Sequence, residues 1–150
     1  MTKLVAKDVM TRDVKTVEPH TTVREVAELL ASAHISGVPV VDLEGRVIGM
    51  VSEADLLNED KVQAAIPRTA LFGIYPIPEE TLLKAYQEGA TVQAQQVMHR
   101  DVVTAEEETP ISELARMMVQ SEVNRIPILR DGKLVGIVTR ADLLRALWDG

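Results

Sequence analysis

The sequence predicts an α+β protein made of two β-α-β-β-α repeats, with an ordered insert between them. The first observation is a stretch written twice: residues 49–57 read GMVSEADLL, and residues 136–144 read GIVTRADLL. The second is that the preceding residues also match, starting from Val9 and Val97, with one extra residue at a hairpin of the first copy. The third is size, because a unit of about 50 residues buries too little surface to be comfortably stable alone. We therefore expect the two copies to pack against each other.

Composition excludes several classes of function. The 150 residues are 46% hydrophobic, enough for a globular core, while a net charge of −7 and only 3% aromatic residues argue against nucleic-acid binding. The sequence has no cysteine, so disulfides, thiolate metal sites and cysteine nucleophiles are excluded. No apolar run approaches the roughly 18 residues that span a bilayer, and the N-terminus lacks the apolar segment of a signal peptide. We expect a soluble, cytoplasmic protein with no nucleic-acid or membrane partner.

Each copy opens with a lead-in, a short extended piece and a helix. Residues 9–14 and 97–102 both read Val-Met-x-x-Asp-Val. Thr21 and Thr109 are the expected N-caps of the helix, and Pro110 suits the first helical position. Apolar residues then recur at helical spacing, which predicts a core-facing helix. These residues are Val23, Val26, Ala27 and Leu30 in the first copy, and Ile111, Leu114, Ala115 and Met118 in the second.

A hairpin and a second helix complete each copy. Residues 35–41 and 123–129 are short apolar strands whose proline fits the start or the edge of a strand. The dipeptide at 131–132, Asp-Gly, predicts a tight hairpin turn. Gly49 and Gly136 lie inside β-branched apolar runs, which predicts buried strands that another backbone approaches closely.

Residues between the copies are expected to form an ordered insert, because a structureless linker of this length is unusual. Residues 78–89 predict a helix, begun by proline and acidic residues and ended by glycine. The predicted boundaries are therefore 1–58 for the first repeat, 59–92 for the insert and 93–150 for the second repeat.

The start of the second helix carries the candidate chemistry. Ser52 and Thr139 end the repeated strand, and Asp55 and Asp142 follow three residues later. Taken singly, this spacing is a near match to a capping box, a purely structural device. The same spacing places a hydroxyl, backbone N–H groups and a carboxylate at one helix N-terminus. Such an end attracts anions, and a carboxylate accepts hydrogen bonds from sugar hydroxyls.

These motifs, in this order and twice, resemble tandem CBS (cystathionine-β-synthase) domains, a pair known as a Bateman module. The resemblance covers nearly the whole chain except the insert. It implies two repeats packed about a pseudo-twofold axis, with adenosine nucleotides such as AMP, ADP or ATP bound in the clefts between them. It also implies a homodimer of such pairs that senses energy or metabolite state, with no required cofactor.

The resemblance assigns roles to individual residues. In the family the carboxylate of the closing motif holds ribose hydroxyls, and the hydroxyl residue of that motif contacts phosphate. The ribose positions are Asp55 and Asp142, and the phosphate positions are Ser52, Thr139, Arg125 and Arg140. The residues expected to line the cleft or contact the base are Thr16, Thr104, Ser36, Gly37, Val38, Pro39, Asn124, Ile126 and Pro127.

The copies differ in charge around these positions. In related modules the phosphates of a ligand held by one copy reach basic residues of the other copy. A nucleotide on Asp55 is therefore expected to meet Arg125 and Arg140, which suit phosphate. A nucleotide on Asp142 is expected to face Glu53, which would repel phosphate. The structural alternative is that both arginines are solvated or paired with surface acids.

Two other classes of function compete with ligand sensing. The first is an enzyme, but the sequence has no phosphate-binding Gly-Lys loop, nucleophile elbow or zinc-binding His pair, so we expect no catalysis. His20, His34 and His99 lack metal-ligand spacing, so no metal site is expected. Each is read as structural or exposed, with an approach of His34 and His99 to the cleft as the alternative. The second is a dimerisation scaffold whose site is vestigial or takes another ligand, such as S-adenosylmethionine or a dinucleotide. An unidentified protein target remains open in every case.

Overall fold

The structure is a computed structural model that describes residues 3–57 and 92–149. The helix expected at 78–89 and most of the insert lie outside the described residues. The chain divides into two compact units. The Asp142 unit comprises residues 1–15, 44–47 and 101–150, and the Asp55 unit comprises residues 16–43 and 48–100. Each unit thus holds the main part of one repeat together with the lead-in of the other repeat.

The described elements follow the predicted order in both repeats, which confirms the α+β fold of two β-α-β-β-α repeats. In the first repeat they are α1 (Ala6–Val9), α2 (Val23–Ala33), β1 (Gly37–Val41), β2 (Val47–Ser52) and α3 (Glu53–Leu57). In the second they are α4 (Ala94–Val97), β3 (Ala105–Glu106), α5 (Ile111–Ser121), β4 (Arg125–Arg130), β5 (Lys133–Thr139) and α6 (Arg140–Asp149).

The strands of each unit form a small sheet. In the Asp142 unit the order is β3-β4-β5, with β3 parallel to β4 and β4 antiparallel to β5. The turn between β4 and β5 has positive φ at Asp131 (53°) and Gly132 (81°), which confirms the predicted two-residue hairpin. In the Asp55 unit β1 pairs with β2, and the first strand is reduced to one parallel bridge between Val17 and Val40.

The prediction that proline stands at the start or edge of a strand is wrong for Pro127. This residue lies inside β4, the middle strand of the Asp142 sheet, opposite Ile137. The Ile137 N–H donates to the Thr11 carbonyl (3.0 Å), and the Ile137 carbonyl accepts from the Thr11 N–H (2.9 Å). Because Ile137 turns both backbone groups away from β4, that ladder position requires no donor from residue 127.

The predicted helix caps are wrong by one residue. Thr22, rather than Thr21, caps α2: its Oγ1 accepts from the Glu25 N–H at 3.1 Å, and Glu25 closes the capping box. Pro110 is the N-cap of α5 instead of its first helical residue. The Thr21 and Thr109 hydroxyls instead accept from the N–H groups three residues earlier (3.0 and 3.1 Å), which closes the turn before each helix.

Each unit has its own hydrophobic core, which includes residues of the other repeat's lead-in and the predicted helical stripes except Ala27, which is only partly buried and lies outside the core. The buried core of the Asp55 unit includes Val23, Val26, Leu30, Val38, Val40, Val51, Val97 and Met98. That of the Asp142 unit includes Ala6, Met10, Leu114, Met118, Ile126, Ile128, Val138 and Leu143.

The two repeated glycines are where the lead-ins cross the sheets. A Cβ atom at Gly49 would lie 3.1 Å from the carbonyl oxygen of His99, and one at Gly136 would lie 3.1 Å from that of Thr11. In both places it would also overlap a buried methionine side chain. The predicted close approach of a backbone at each glycine is therefore confirmed.

Candidate functional site

The Asp55 motif is a complete capping box. The Ser52 N–H and hydroxyl both donate to Asp55 Oδ2, at 2.8 and 3.1 Å, and the Asp55 N–H donates to the Ser52 hydroxyl at 3.4 Å. The aspartate is only 2% exposed although it lies in the first turn of a five-residue helix. A buried carboxylate needs such donors, because leaving it without partners costs far more than one hydrogen bond.

The Asp142 motif repeats this geometry. The Thr139 N–H and hydroxyl donate to Asp142 Oδ2 at 2.8 and 3.0 Å, and the Asp142 N–H donates back at 3.2 Å. Asp142 is 5% exposed. The structural alternative raised by the spacing is therefore real in both copies, and any ligand-binding role is added to a capping role.

Each motif is also joined to the loop before the proline strand. The Glu53 N–H donates to the Ser36 carbonyl at 2.9 Å, and the Arg140 N–H donates to the Asn124 carbonyl at 2.8 Å. The loop residues expected to line a cleft therefore lie beside the aspartate motif of their own unit. Three N–H groups at the start of each helix donate inside the protein, so they are not available to an anion as the sequence had suggested.

The second oxygen of each carboxylate has a different partner in each unit. Nε2 of His99 lies 2.5 Å from Asp55 Oδ1, and a guanidinium nitrogen of Arg145 contacts Asp142 Oδ1. The sequence allowed an approach of His99 to the cleft without indicating its contact with Asp55, and it did not indicate Arg145. The available signal was the lead-in repeat, since His99 matches Thr11, a position with the same backbone pairing.

The acceptor capacity of these carboxylates is mostly used. An ionised carboxylate has about four lone-pair positions. In Asp55, Ser52 occupies two on Oδ2 and His99 one on Oδ1, which leaves at most one. On Asp142, Thr139 likewise occupies two positions on Oδ2, and Arg145 occupies one on Oδ1. A ribose that donates two hydroxyls to either aspartate therefore requires its side-chain partner on Oδ1 to move.

Several expected lining residues belong to the cores. The side chains of Val38, Pro39, Ile126 and Pro127 are fully buried, and Gly37 is buried at the start of β1. Any contact that these residues make with a ligand would therefore use their backbone.

The two candidate threonines lie next to the first strand of each sheet. Thr16 is exposed beside the Val17 bridge, and Thr104 is half-buried beside β3. Thr104 lines an open cavity of about 440 Å³ together with acidic residues after β3 and the hairpin turn at Arg130–Gly132. Asp142 is not among the residues that line this cavity.

One ion pair in this cavity shifts the pKa values of its members. Arg130 Nε and Nη2 donate to the two carboxylate oxygens of Glu107, at 2.6 and 2.8 Å. These hydrogen bonds hold the pKa of Glu107 below its ordinary value and raise that of Arg130.

Both arginines proposed for phosphate lie in the Asp142 unit. Arg125 begins β4 and pairs in register with Thr139, and Arg140 is the exposed first residue of α6. The structure thus brings both arginines and Asn124 to the end of the hairpin where Asp142 lies. The expectation that these arginines serve a ligand on Asp55 involves both units and stays a prediction.

Neither a metal-binding cluster nor a membrane-spanning helix occurs among the described residues. Between residues 3 and 57 and between 92 and 149, no group of three histidine, aspartate or glutamate side chains is placed to hold a metal ion. Among the helices in the same ranges, none is long and apolar enough to cross a membrane.

Comparison with known proteins bears on the whole chain. The family model of the CBS domain matches it twice, at residues 6–61 and 94–149. The chloroplastic CBS domain-containing protein CBSX1 of Arabidopsis thaliana is 32% identical over 141 residues, which are 89% of this chain and 59% of that protein. This chain therefore corresponds to less than two thirds of that relative.

Solved structures match nearly the full chain. The CBS domain of a CBS domain-containing membrane protein from Sphaerobacter thermophilus superposes with a TM-score of 0.72 at 31% identity, covering 95% of this chain and 87% of that one. CBSX2 of Arabidopsis thaliana, in complex with AMP, superposes with a TM-score of 0.74 at 26% identity, covering 97% of both chains.

Proposed function

Since the chain belongs to the CBS domain family, we propose that it is a non-catalytic regulatory module that binds an adenosine nucleotide of the AMP, ADP or ATP type through Asp55 and Asp142. The observation that carries this proposal is the same buried carboxylate in both units, satisfied on one oxygen by its own capping box. The other oxygen contacts a side chain with room to move, because the His99 and Arg145 side chains are 55% and 71% exposed. The AMP complex of CBSX2 supports the ligand class.

Calorimetry and thermal unfolding with AMP, ADP, ATP and adenosine test this function. A ligand that binds only the native state adds about 2.7 kcal/mol of stability at a hundredfold excess over its Kd. Asp55→Ala and Asp142→Ala are each expected to weaken binding at their own site about tenfold to a hundredfold. Binding that both variants retain at wild-type strength would contradict the proposal, as would the lack of any response to millimolar adenosine compounds.

Phosphate recognition is proposed for Arg125 and Arg140. The sequence also suggested phosphate contacts from Ser52 and Thr139, but the single O–H of each hydroxyl already donates to Asp55 or Asp142, so neither is proposed as a phosphate donor. A guanidinium group makes charge-assisted hydrogen bonds to phosphate. The double variant Arg125→Ala/Arg140→Ala is therefore expected to weaken AMP and ATP much more than adenosine. It should also flatten the salt dependence of AMP binding, since screened charge pairs are removed. Arg24→Ala is the matched control, because Arg24 is an exposed helical arginine that pairs with Glu28. An equal loss for adenosine and AMP would refute the phosphate role.

A second copy of the chain is the proposed partner of α6. This helix exposes Leu144, Leu147 and Trp148 at positions i, i+3 and i+4, and Trp148 is 89% exposed. Such a row lies on one face of a helix, and a twofold interface pairs one surface patch with itself. Light scattering is expected to show a dimer at micromolar concentration, and Trp148→Glu is expected to shift it towards monomer. A stable dimer that gives no response to AMP, ADP or ATP would favour the scaffold reading.

Sensing of energy state is a narrower form of this proposal, and catalysis is its competitor. A sensor of energy state must distinguish AMP from ATP, either by affinity or by the protein state that each stabilises. Competition between them at a fixed total concentration measures the difference in affinity. Incubation with each nucleotide, followed by chromatography of the products, is expected to return the nucleotide unchanged. Steady turnover by pure protein would replace the regulatory proposal with an enzymatic one.

A further inference from the structure

His99 and Arg145 occupy the same oxygen of equivalent aspartates but come from different places in the chain. Arg145 lies three residues after Asp142 on α6, whereas His99 belongs to the lead-in that follows α4. The His99 backbone is held by two hydrogen bonds to Met50, both of 2.9 Å. Its side chain remains half-exposed, so the imidazole can leave Asp55 without disturbing that pairing.

We infer that His99 is a gate on the Asp55 site, a side chain that competes with the hydroxyls of the ligand for Asp55 Oδ1. This inference rests on the proposed binding of adenosine ligands and names the residue that sets affinity at one of the two sites. With the imidazole in place, at most one acceptor position on Asp55 remains for a ribose that offers two vicinal donors. Binding of both hydroxyls must break the His99 contact, and the free energy of that contact is subtracted from the affinity.

The repeated sequence supplies a natural replacement for the gate. Thr11 is the counterpart of His99, and its backbone pairs with Ile137 as His99 pairs with Met50. His99→Thr therefore introduces the residue that this backbone position already accommodates in the other unit. The replacement removes the donor to Asp55 and leaves the Ser52 capping box intact.

Titration calorimetry in an Asp142→Asn background isolates the Asp55 site. His99→Thr is expected to tighten adenosine binding about two- to fivefold, the range for removing a polar side-chain contact with one half-exposed partner. For 2′,3′-dideoxyadenosine, which lacks the vicinal 2′ and 3′ hydroxyls, the same replacement is expected to change affinity little. His20→Thr is the matched control, because His20 is an exposed histidine that contacts Glu18 instead.

Each outcome separates the gate from the function on which it rests. Unchanged or weaker adenosine binding by His99→Thr overturns the gate, while a loss of binding on Asp55→Asn still supports the site. An equal gain for adenosine and dideoxyadenosine also overturns it, since hydroxyl competition would then not be the cause. Failure of every variant, including wild type, to bind any adenosine compound overturns the proposed function and the gate together. Thermal unfolding without ligand verifies that each variant is folded.

Discussion

The Asp55 and Asp142 units share one local design and differ in what faces it. Equivalent hydrogen bonds of the two capping boxes agree closely, with both N–H to Oδ2 distances at 2.8 Å. A lead-in crosses each sheet at a glycine, where an added Cβ atom would lie 3.1 Å from a backbone carbonyl oxygen of the lead-in. The groups that contact Oδ1 of each aspartate are unrelated: they are the imidazole of His99 and the guanidinium of Arg145. Positions that hold the backbone have stayed alike, while exposed positions that only face the site have diverged.

The two sheets also differ in the side chains that follow their first strand and end the next one. Glu107 and Arg130 form a bidentate ion pair in the Asp142 unit. The matching positions in the first repeat are Pro19 and Asp42, which cannot form that pair. We therefore expect equal effects in the two units for substitutions at the capping boxes and the crossing glycines. Unequal effects are expected for substitutions at the Glu107–Arg130 pair and at the side chains that contact Oδ1 of each aspartate.

The largest effects are expected at the two crossing glycines. Gly49→Ala and Gly136→Ala each place a methyl group against a backbone carbonyl and a buried methionine, so each is expected to cost about 1–3 kcal/mol of unfolding free energy. Denaturant unfolding measures both. Adding Met98→Ala to Gly49→Ala should cost less than the sum of the single changes, because the new methyl fills part of the space left by the methionine. A loss in one unit only would show that the crossings are not equivalent.

Intermediate effects are expected at the capping hydroxyls. Ser52→Ala and Thr139→Ala each remove a group that donates to the buried aspartate and accepts from its N–H, so each should cost about 0.5–2 kcal/mol. Ser32→Ala is the control, because the exposed Ser32 hydroxyl only donates to a carbonyl three residues earlier in its helix. Its effect should stay within about 0.5 kcal/mol of zero. A control as damaging as the two test variants would mean that the capping boxes contribute little.

The smallest effect is expected at the Glu107–Arg130 pair, and it depends on pH. Since the pKa of Glu107 is held below its ordinary value in the folded protein, the pair stabilises the fold at neutral pH. That contribution is lost as pH falls through the titration of this carboxyl group. Glu107→Gln should therefore lower the melting temperature slightly at pH 7 and converge with wild type in acid. Glu122→Gln is the control at an exposed glutamate that ends α5. A gap between Glu107→Gln and wild type that widens on acidification would contradict the sign.

The sequence predicted most of the fold because the fold rests on patterns that repeat. Helical stripes, the turn at Asp131–Gly132 and the two crossing glycines are local signals with one physical reading. The predicted cap of α2 was one residue too early because Thr21 and Thr22 are adjacent and chemically alike. Only the capping box that Thr22 forms with Glu25 distinguishes the true cap from its neighbour. The position of Pro127 was predicted wrongly for a non-local reason. A proline is tolerated inside β4 because Ile137, opposite it, pairs with the lead-in at Thr11, and no local sequence pattern reveals that pairing.

The candidate site was predicted only in part. The Ser/Thr-x-x-Asp motifs could be read as caps or as ligand sites, and the structure shows that the caps exist. The contact between His99 and Asp55 joins residues 44 positions apart and depends on the lead-in entering the unit of the other repeat. Arg145 was missed for another reason: a basic residue at i+3 from a helical aspartate usually indicates only a surface pair.

A crystal structure of the protein with AMP tests the central claim most directly. We expect ribose hydroxyls within about 3.2 Å of the carboxylate of Asp55 or Asp142. We further expect that His99 or Arg145 has moved off the aspartate that is occupied, while the capping hydrogen bonds from Ser52 and Thr139 are retained. AMP bound with its ribose away from both aspartates, and with His99 and Arg145 still on their carboxylates, would contradict this claim.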